Sequence, residues 1–265
     1  MTDLGTYSDI GVSLDLHVAT VEIRRPPHNF FDSDLIAQIG EAFERLDAND
    51  QCRAVVLCAE GRSFCAGADF SKRMDTGTVQ EGSRSRAGKH LYKEASRLFR
   101  ARKPIVGAVH GAAVGGGLGL ALVPDFRVTC SEARFSANFN RLGFHPGFGL
   151  TVTLPRLVGP QQAALLFYTG RRISGDEAVR IGLADLLVPQ EEVRRAAQAL
   201  ALEIAQSAPL AVIATRETMR RGLAEAIDAA TERELVEQDW LRRTADFAEG
   251  VKAMADRRVP DFQGR

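Results

Sequence analysis

Two short stretches of this chain carry residue types able to hold an anionic reaction intermediate. One is Ser63-Phe64-Cys65-Ala66-Gly67-Ala68-Asp69-Phe70. The other is His110-Gly111-Ala112-Ala113-Val114-Gly115-Gly116-Gly117-Leu118-Gly119. Each follows an apolar run of strand character, Ala54 to Ala59 and Ile105 to Val109. In α/β sheets, ligands gather beyond the carboxyl ends of the strands. Glycine lets backbone approach a ligand closely, because no Cβ intervenes. A helix starting at the three glycines aims its free N–H groups and positive dipole end into that space. One N–H from each stretch would make an oxyanion hole. The same glycine run also suits tight packing of helix on strand, and the pattern alone leaves both readings open.

The elements that must position these stretches read as alternating strands and helices, then helices alone. Val12 to Ile23 alternates like a strand pair turning near His17. Ser33 to Leu46 has helical apolar spacing, with Asp32 or Ser33 as N-cap. Ala54 to Ala59 is a strand buried on both faces, Gly61 to Phe70 a loop, and Ser83 to Ala101 a helix. Ile105 to Val109 and Phe126 to Cys130 are further buried strands. Ser174-Gly175-Asp176-Glu177 has the form of a capping box, and Leu186 to Val188 is a short strand. From Glu191 to about Arg257 the pattern is helical. An α/β core with a helical extension follows. Ser207-Ala208-Pro209 marks the boundary, dividing residues 1–206 from residues 207–265.

Composition excludes several classes. With 265 residues, 45% of them apolar and 26% charged, the chain can bury a substantial core. Lys plus Arg and Asp plus Glu are each 34, so the net charge is zero. That argues against a nucleic-acid or anionic-membrane coat. Lys103 to Asp125 encloses a long uncharged stretch, but six glycines interrupt it, which reads as strand, turn and buried helix rather than a membrane span. Met1 to Leu16 carries Asp3, Asp9 and Asp15 and no apolar core of a secretory signal. Cys52, Cys58, Cys65 and Cys130 form no C-x-x-C pair and no zinc spacing. Reduced, inert thiols in a cytoplasmic protein are the expectation, and no metal site is expected. The run Gly115, Gly116, Gly117, Gly119 does not meet the dinucleotide G-x-G-x-x-G spacing.

Ser63 to Phe70 together with Pro104 to Gly119 resembles the paired signatures of the enoyl-CoA hydratase/isomerase, or crotonase, superfamily. Pro124-Asp125-Phe126-Arg127-Val128, Leu142-Gly143-Phe144-His145-Pro146-Gly147-Phe148-Gly149 and Thr169-Gly170-Arg171-Arg172-Ile173-Ser174 extend the resemblance in order, as do Glu177-Ala178, Gly182-Leu183 and Asn29. It runs from about Leu14 to about Phe262. The resemblance implies a crotonase-like spiral of repeated ββα units with a C-terminal helical extension, assembled as a homotrimer or a dimer of trimers. It implies an acyl-CoA substrate whose thioester enolate is held by two backbone amides. No cofactor is expected beyond the CoA moiety of the substrate. Carried over by position, those amides belong to Ala68 and Gly116. Ala66 to Ser71 would line the CoA path, with Asp69, Phe70 and Ser71 in ligand contact.

Two positions depart from the family pattern. The catalytic glutamates of its hydratases fall at Gly119 and Phe139 here. Neither residue can activate water or deliver a proton, so ordinary hydration is not expected. His145, in a loop that in this family faces the reacting carbons, is the candidate acid or base. It is equally readable as a loop histidine bonded to backbone. Gly147 lies in the same loop. His90 and Tyr92 lie on the helix over the site, where some relatives place a histidine, and the count from Pro104 favours Tyr92. His28 reads as a turn residue. Arg24, Arg25, Lys72, Arg73, Arg84 and Arg86 are candidates for CoA phosphate contacts or plain surface charges. Phe135, Phe139, Phe144 and Phe148 would form core packing or an apolar wall for the acyl group. Leu235, Trp240, Phe247, Val251 and Met254 read as core or subunit packing. A catalytically silent member of the family, one that binds acyl-CoA or acts as a scaffold in a hetero-oligomer, is the alternative.

Overall fold

The computed structural model describes residues 4–69 and 91–265. Strands β1 (Ile10–Asp15) and β2 (Val18–Ile23) form an antiparallel hairpin with Asp15 opposite Val18. Leu16 and His17 between them both take positive φ, 45° and 70°, the two-residue turn that matches strand twist. Beyond β2 the sheet continues in parallel through β3 (Ala54–Ala59), β5 (Ile105–Val109), β7 (Phe126–Thr129) and β10 (Leu186–Leu187). Every residue of β3 and β5 is buried, which accounts for their unbroken apolar runs.

A second sheet holds β4 (Ser63–Cys65), β6 (Ala112–Val114), β8 (Arg134–Ser136) and β9 (Arg172–Ser174), the first three parallel. The pairs β3–β4, β5–β6 and β7–β8 therefore each put one strand into each sheet, and the chain winds as a spiral. Gly61 to Phe70, expected as loop throughout, contains β4. Its three residues are all buried, because the turn of the spiral carries them between the layers.

Helix α1 (Ser33–Asp47) is capped by Asp32, whose side chain accepts from the Leu35 amide at 2.9 Å. At its other end the Lys103 ammonium donates to the Leu46 and Asn49 carbonyls, a cation at the negative helix pole. Helix α2 is described over Leu91–Leu98, and the earlier part of the expected Ser83–Ala101 helix lies outside the described residues. Helix α3 (Gly116–Ala121) follows β6, and α4 (Leu150–Val158) and α5 (Pro160–Thr169) follow β8. Ser174 caps α6 (Gly175–Arg180) by accepting from the Glu177 amide at 3.3 Å, as its capping-box sequence implies.

Helices α7 (Val193–Ala205), α8 (Pro209–Met219), α9 (Leu223–Leu241) and α10 (Ala245–Ala255) form the helical run. Val193, Ala197, Ala201 and Ala205 of α7 are buried at four-residue spacing, and that stripe packs on β2, β3, β5 and β7. No residue of α8 is fully buried. Helix α9 turns back over α2 and α4. Among the described residues, no single helix is long and apolar enough to cross a membrane.

Candidate active site

The first stretch is anchored by Asn29, which is fully buried between β2 and α1. Its side chain accepts from the Arg25 amide at 2.9 Å and donates to the Glu60 and Ser63 carbonyls at 2.6 and 2.8 Å. Two ion pairs brace this segment from outside, Arg25 with Asp9 and with Asp32, both at 2.8 Å. The stretch then uses its backbone in order. The Ala66 amide donates to the His28 carbonyl at 3.0 Å, and the Gly67 carbonyl accepts from the Phe31 amide at 3.0 Å. Gly67 has φ +86°, and a Cβ there would meet the Val114 carbonyl oxygen at 2.7 Å and the Gly116 nitrogen at 3.8 Å. Gly67 thus sits directly against the start of the glycine helix, and Ala68 is the next residue in the chain.

On that helix, the Gly115 amide donates to the Ser136 carbonyl at 2.8 Å. Among the described residues, no acceptor takes the Gly116 or the Ala68 amide. Close approach dictates the glycines that follow. A Cβ on Gly117 would stand 2.0 Å from the Cys65 carbonyl oxygen, and one on Gly116 would stand 2.3 Å from the Phe31 ring. The position of Gly119 is closed by Phe148, whose Cβ, Cγ and Cδ1 would all lie 2.7 Å from an added Cβ. Phe148 is itself buried and packs edge-on against Phe31, with ring centroids 5.8 Å apart.

The second loop, Gly143 to Gly149, is held by side chains of α9. Glu234 accepts from the Gly149 amide at 2.8 Å, the Thr151 amide at 3.1 Å and the Thr151 hydroxyl at 2.6 Å. It caps the first turn of α4, where a carboxylate suits the helix pole. Burial pushes its carboxyl pKa up, against these hydrogen bonds and the nearby His145, which pull it down. One helical turn further on, Gln238 donates to the His145 carbonyl at 2.8 Å. Its amide oxygen accepts from the Tyr92 hydroxyl at 2.8 Å and from Arg242 at 2.6 Å. A Cβ on Gly147 would stand 1.9 Å from the Tyr92 hydroxyl oxygen, so that hydroxyl lies directly over Gly147. The His145 ring places Nδ1 2.8 Å from the Pro146 carbonyl oxygen. A carbonyl can only accept, so Nδ1 carries the proton in the neutral ring and Nε2 keeps its lone pair.

The structure sets Gly67 against Gly116, which is buried, while Ala66, Ala68 and Asp69 are partly exposed. Phe139 reaches the same place, its ring tip 3.9 Å from the Cβ position of Gly115. It also packs edge-on with Phe144 at 5.4 Å, and Phe144 packs with Phe247 at 5.4 Å. The phenylalanine cluster is thus core packing that also borders the glycine helix, and Phe247 packs within its own chain. Phe70, Ser71, Lys72, Arg73, Arg84, Arg86 and His90 lie outside the described residues. Arg24 is engaged by Glu22 at 2.9 Å, and Arg25 by its two carboxylates. His28 places Nδ1 3.4 Å from the Ser63 hydroxyl, consistent with a turn residue. All four cysteines are buried and free. Burial pushes the Cys52 thiol up to about 11 and the Cys58 and Cys65 thiols to about 12, which suits inert packing. Among the described residues, no group of three metal-ligating side chains is gathered.

Several residues of this arrangement escaped sequence reasoning. Asn138 places Oδ1 3.4 Å from the Cβ position of Gly115, with nothing in its sequence context to single it out. Glu234 and Gln238 did leave a signal. Ile227, Thr231, Glu234 and Gln238 fall on one buried face of α9, and polar residues on such a face must find buried partners.

Comparison with known proteins gives this geometry its context. The family profile of enoyl-CoA hydratase/isomerase matches residues 15–265. A short-chain-enoyl-CoA hydratase of Clostridium acetobutylicum is 34% identical over 251 residues, covering 94% of this chain and 95% of that protein. A 1,2-epoxyphenylacetyl-CoA isomerase of Escherichia coli is 30% identical over 250 residues, covering 94% and 95%. Among solved structures, a carnitinyl-CoA hydratase from Mycobacterium avium superposes with TM-score 0.85 at 30% identity, covering 98% of this chain and all of that one. The match spans both the spiral and the helical extension, and this chain belongs to the enoyl-CoA hydratase/isomerase family.

Proposed function

We propose that this protein is an acyl-CoA enzyme that holds a thioester enolate on the backbone amides of Ala68 and Gly116 and does not act as an ordinary hydratase. The observation that carries this reading is the juxtaposition of Gly67 with Gly116. Two separate segments meet there, and neither the Ala68 nor the Gly116 amide has an acceptor among the described residues. Donors preorganised where charge develops lower the barrier by about 2.7–4 kcal/mol each. The names of the relatives, hydratases and an isomerase of CoA thioesters, support the substrate class.

The two departures from the family pattern argue against hydration. Gly119 carries no carboxylate, and the Phe148 ring fills the space a side chain there would need. Phe139 offers only a ring. A wall of Phe31, Phe139 and Phe148 keeps water away from the amides and strengthens their hold on charge. Proton movement then falls to His145 through Nε2, or to a group on the substrate. Double-bond isomerisation, decarboxylation and C–C cleavage of a β-keto thioester all pass through the same enolate.

Turnover measured across crotonyl-CoA and branched, aromatic and β-keto acyl-CoAs tests the reading. Conversion is expected outside simple hydration, falling about 100-fold in His145→Ala. Unchanged turnover in that variant on every active substrate removes His145 from the mechanism. Tight thioester binding with no conversion anywhere in the panel supports the silent alternative, which the missing carboxylates favour.

A further inference from the structure

Beneath α8 the helical extension does not close onto the core. A cavity of about 600 Å³ runs between α8 and the amino ends of β5 and β7, with apolar walls that include Phe99, Leu122, Phe126, Val212 and Met219. Asp125, Arg156, Arg216 and Arg220 line the same space. Arg216 and Arg220 also line an adjoining cavity of about 560 Å³, whose wall carries Arg100, Arg102 and Arg221 together with Glu217 and Glu225.

The charges in this groove do not balance. Asp125 accepts from Arg216 Nε at 2.8 Å, from Arg220 Nη1 at 2.7 Å and from the Ile105 amide at 2.9 Å. Arg156 stands by, donating to the Met219 carbonyl at 2.9 Å. Asp125 thus holds two guanidiniums, and a third, Arg156, lines the same groove near Arg220. Burial, then the nearby Arg216, push the Arg220 pKa down, and Arg156 adds to the effect, against the pull of Asp125. Arg216 Nη2 and Arg220 Nε are buried and have no hydrogen-bond partner among the described residues. Such orphaned donors are rare in folded proteins and costly to leave unmade. A concave apolar wall with a few convergent polar groups is the general form of a small-molecule site, and the planar guanidinium fork suits a carboxylate.

We infer that this groove is a second ligand site, taking an amphipathic anion whose alkyl chain lies under α8 and whose carboxylate sits among Arg156, Arg216 and Arg220. It opens at the amino ends of β5 and β7, whereas the loops of the candidate active site leave the carboxyl ends. The five residues of β5 separate the two by roughly 16 Å. The site therefore does not depend on the enolate reading.

Isothermal titration of the full-length protein with octanoate, with and without saturating acetyl-CoA, tests it. One octanoate per chain is expected, with the same affinity in both conditions. Arg220→Gln should weaken octanoate at least tenfold, and Val212→Trp should abolish binding by filling the groove. Octanol should bind at least tenfold more weakly than octanoate, and inorganic phosphate should not displace it. Circular dichroism checks that each variant folds. Should Arg220→Gln unfold, Arg220→Lys keeps the charge but not the fork, and a severalfold weakening is expected. Absence of octanoate binding, competition by acetyl-CoA, displacement by inorganic phosphate, or unchanged affinity in the variants overturns the inference. So does a change of oligomer size in Val212→Trp on gel filtration, which would make the groove a subunit contact.

Discussion

The two loops of the candidate active site are built by different means. The glycine stretch is assembled from backbone: amides, carbonyls and the absence of Cβ atoms fix its place against β4. The Gly143–Gly149 loop is assembled from side chains that arrive from α9 and α2, chiefly Glu234, Gln238 and Tyr92. Backbone construction tolerates no added atoms and is indifferent to remote substitution. Side-chain construction allows atoms to be trimmed, at a cost set by the donors left behind.

The comparison is broken most severely from the backbone side. Gly117→Ala puts a methyl 2.0 Å from the Cys65 carbonyl oxygen, and neither backbone can retreat without opening the β4–β6 pairing. A loss of more than about 3 kcal/mol is expected in denaturant titration. Next is Glu234→Ala, which strands two amides and a hydroxyl. It should cost about 2 kcal/mol and loosen the loop while leaving the glycine helix in place. Hydrogen exchange confined to residues 143–151 would sharpen the contrast, whereas exchange spreading to Gly115–Ala121 would erase it. Tyr92→Phe removes one hydroxyl from the Gln238 network and should cost about 1 kcal/mol.

The smallest effect is expected from acid. The Arg25 hydrogen bond holds the Asp9 carboxyl down at about 2, against the burial that opposes it. A depressed carboxyl contributes stability that is complete above its ordinary pKa and lost as pH falls toward the folded value. Thermal melts between pH 4 and pH 2 should therefore show a loss of about 1 kcal/mol or less, because the pair is partly exposed, and Asp9→Asn should flatten that slope. Glu234 has the opposite sign. Its folded pKa is raised, so acid adds no penalty through that group, and the second loop should keep its protection over the same range.

This difference also explains how much was legible in the sequence. The spiral announced itself because β3 and β5 are buried on both faces and so read as unbroken apolar runs, and because Asp32 and Ser174 mark their helices by capping. The glycine stretches stood out because close backbone approach leaves a compositional trace. Strand β4 was missed because three residues carry no periodicity. The α9 clamp was missed because Glu234 and Gln238 lie 85 and 93 residues from the groups they hold, and no local pattern encodes so distant a partner. Tyr92 was placed over the site by counting, yet its contact with Gln238 required the fold.

The Phe148 ring against Gly119 ties two positions of the chain to one another. A side chain at position 119 would bring its Cβ within 2.7 Å of Phe148 Cβ, Cγ and Cδ1, so Gly119→Glu alone would not seat a carboxylate there. A smaller residue at position 148 would have to come first, and on its own it would leave a hole in the core. The glycine and its bulky neighbour are therefore interlocked: either position can change productively only when the other changes with it.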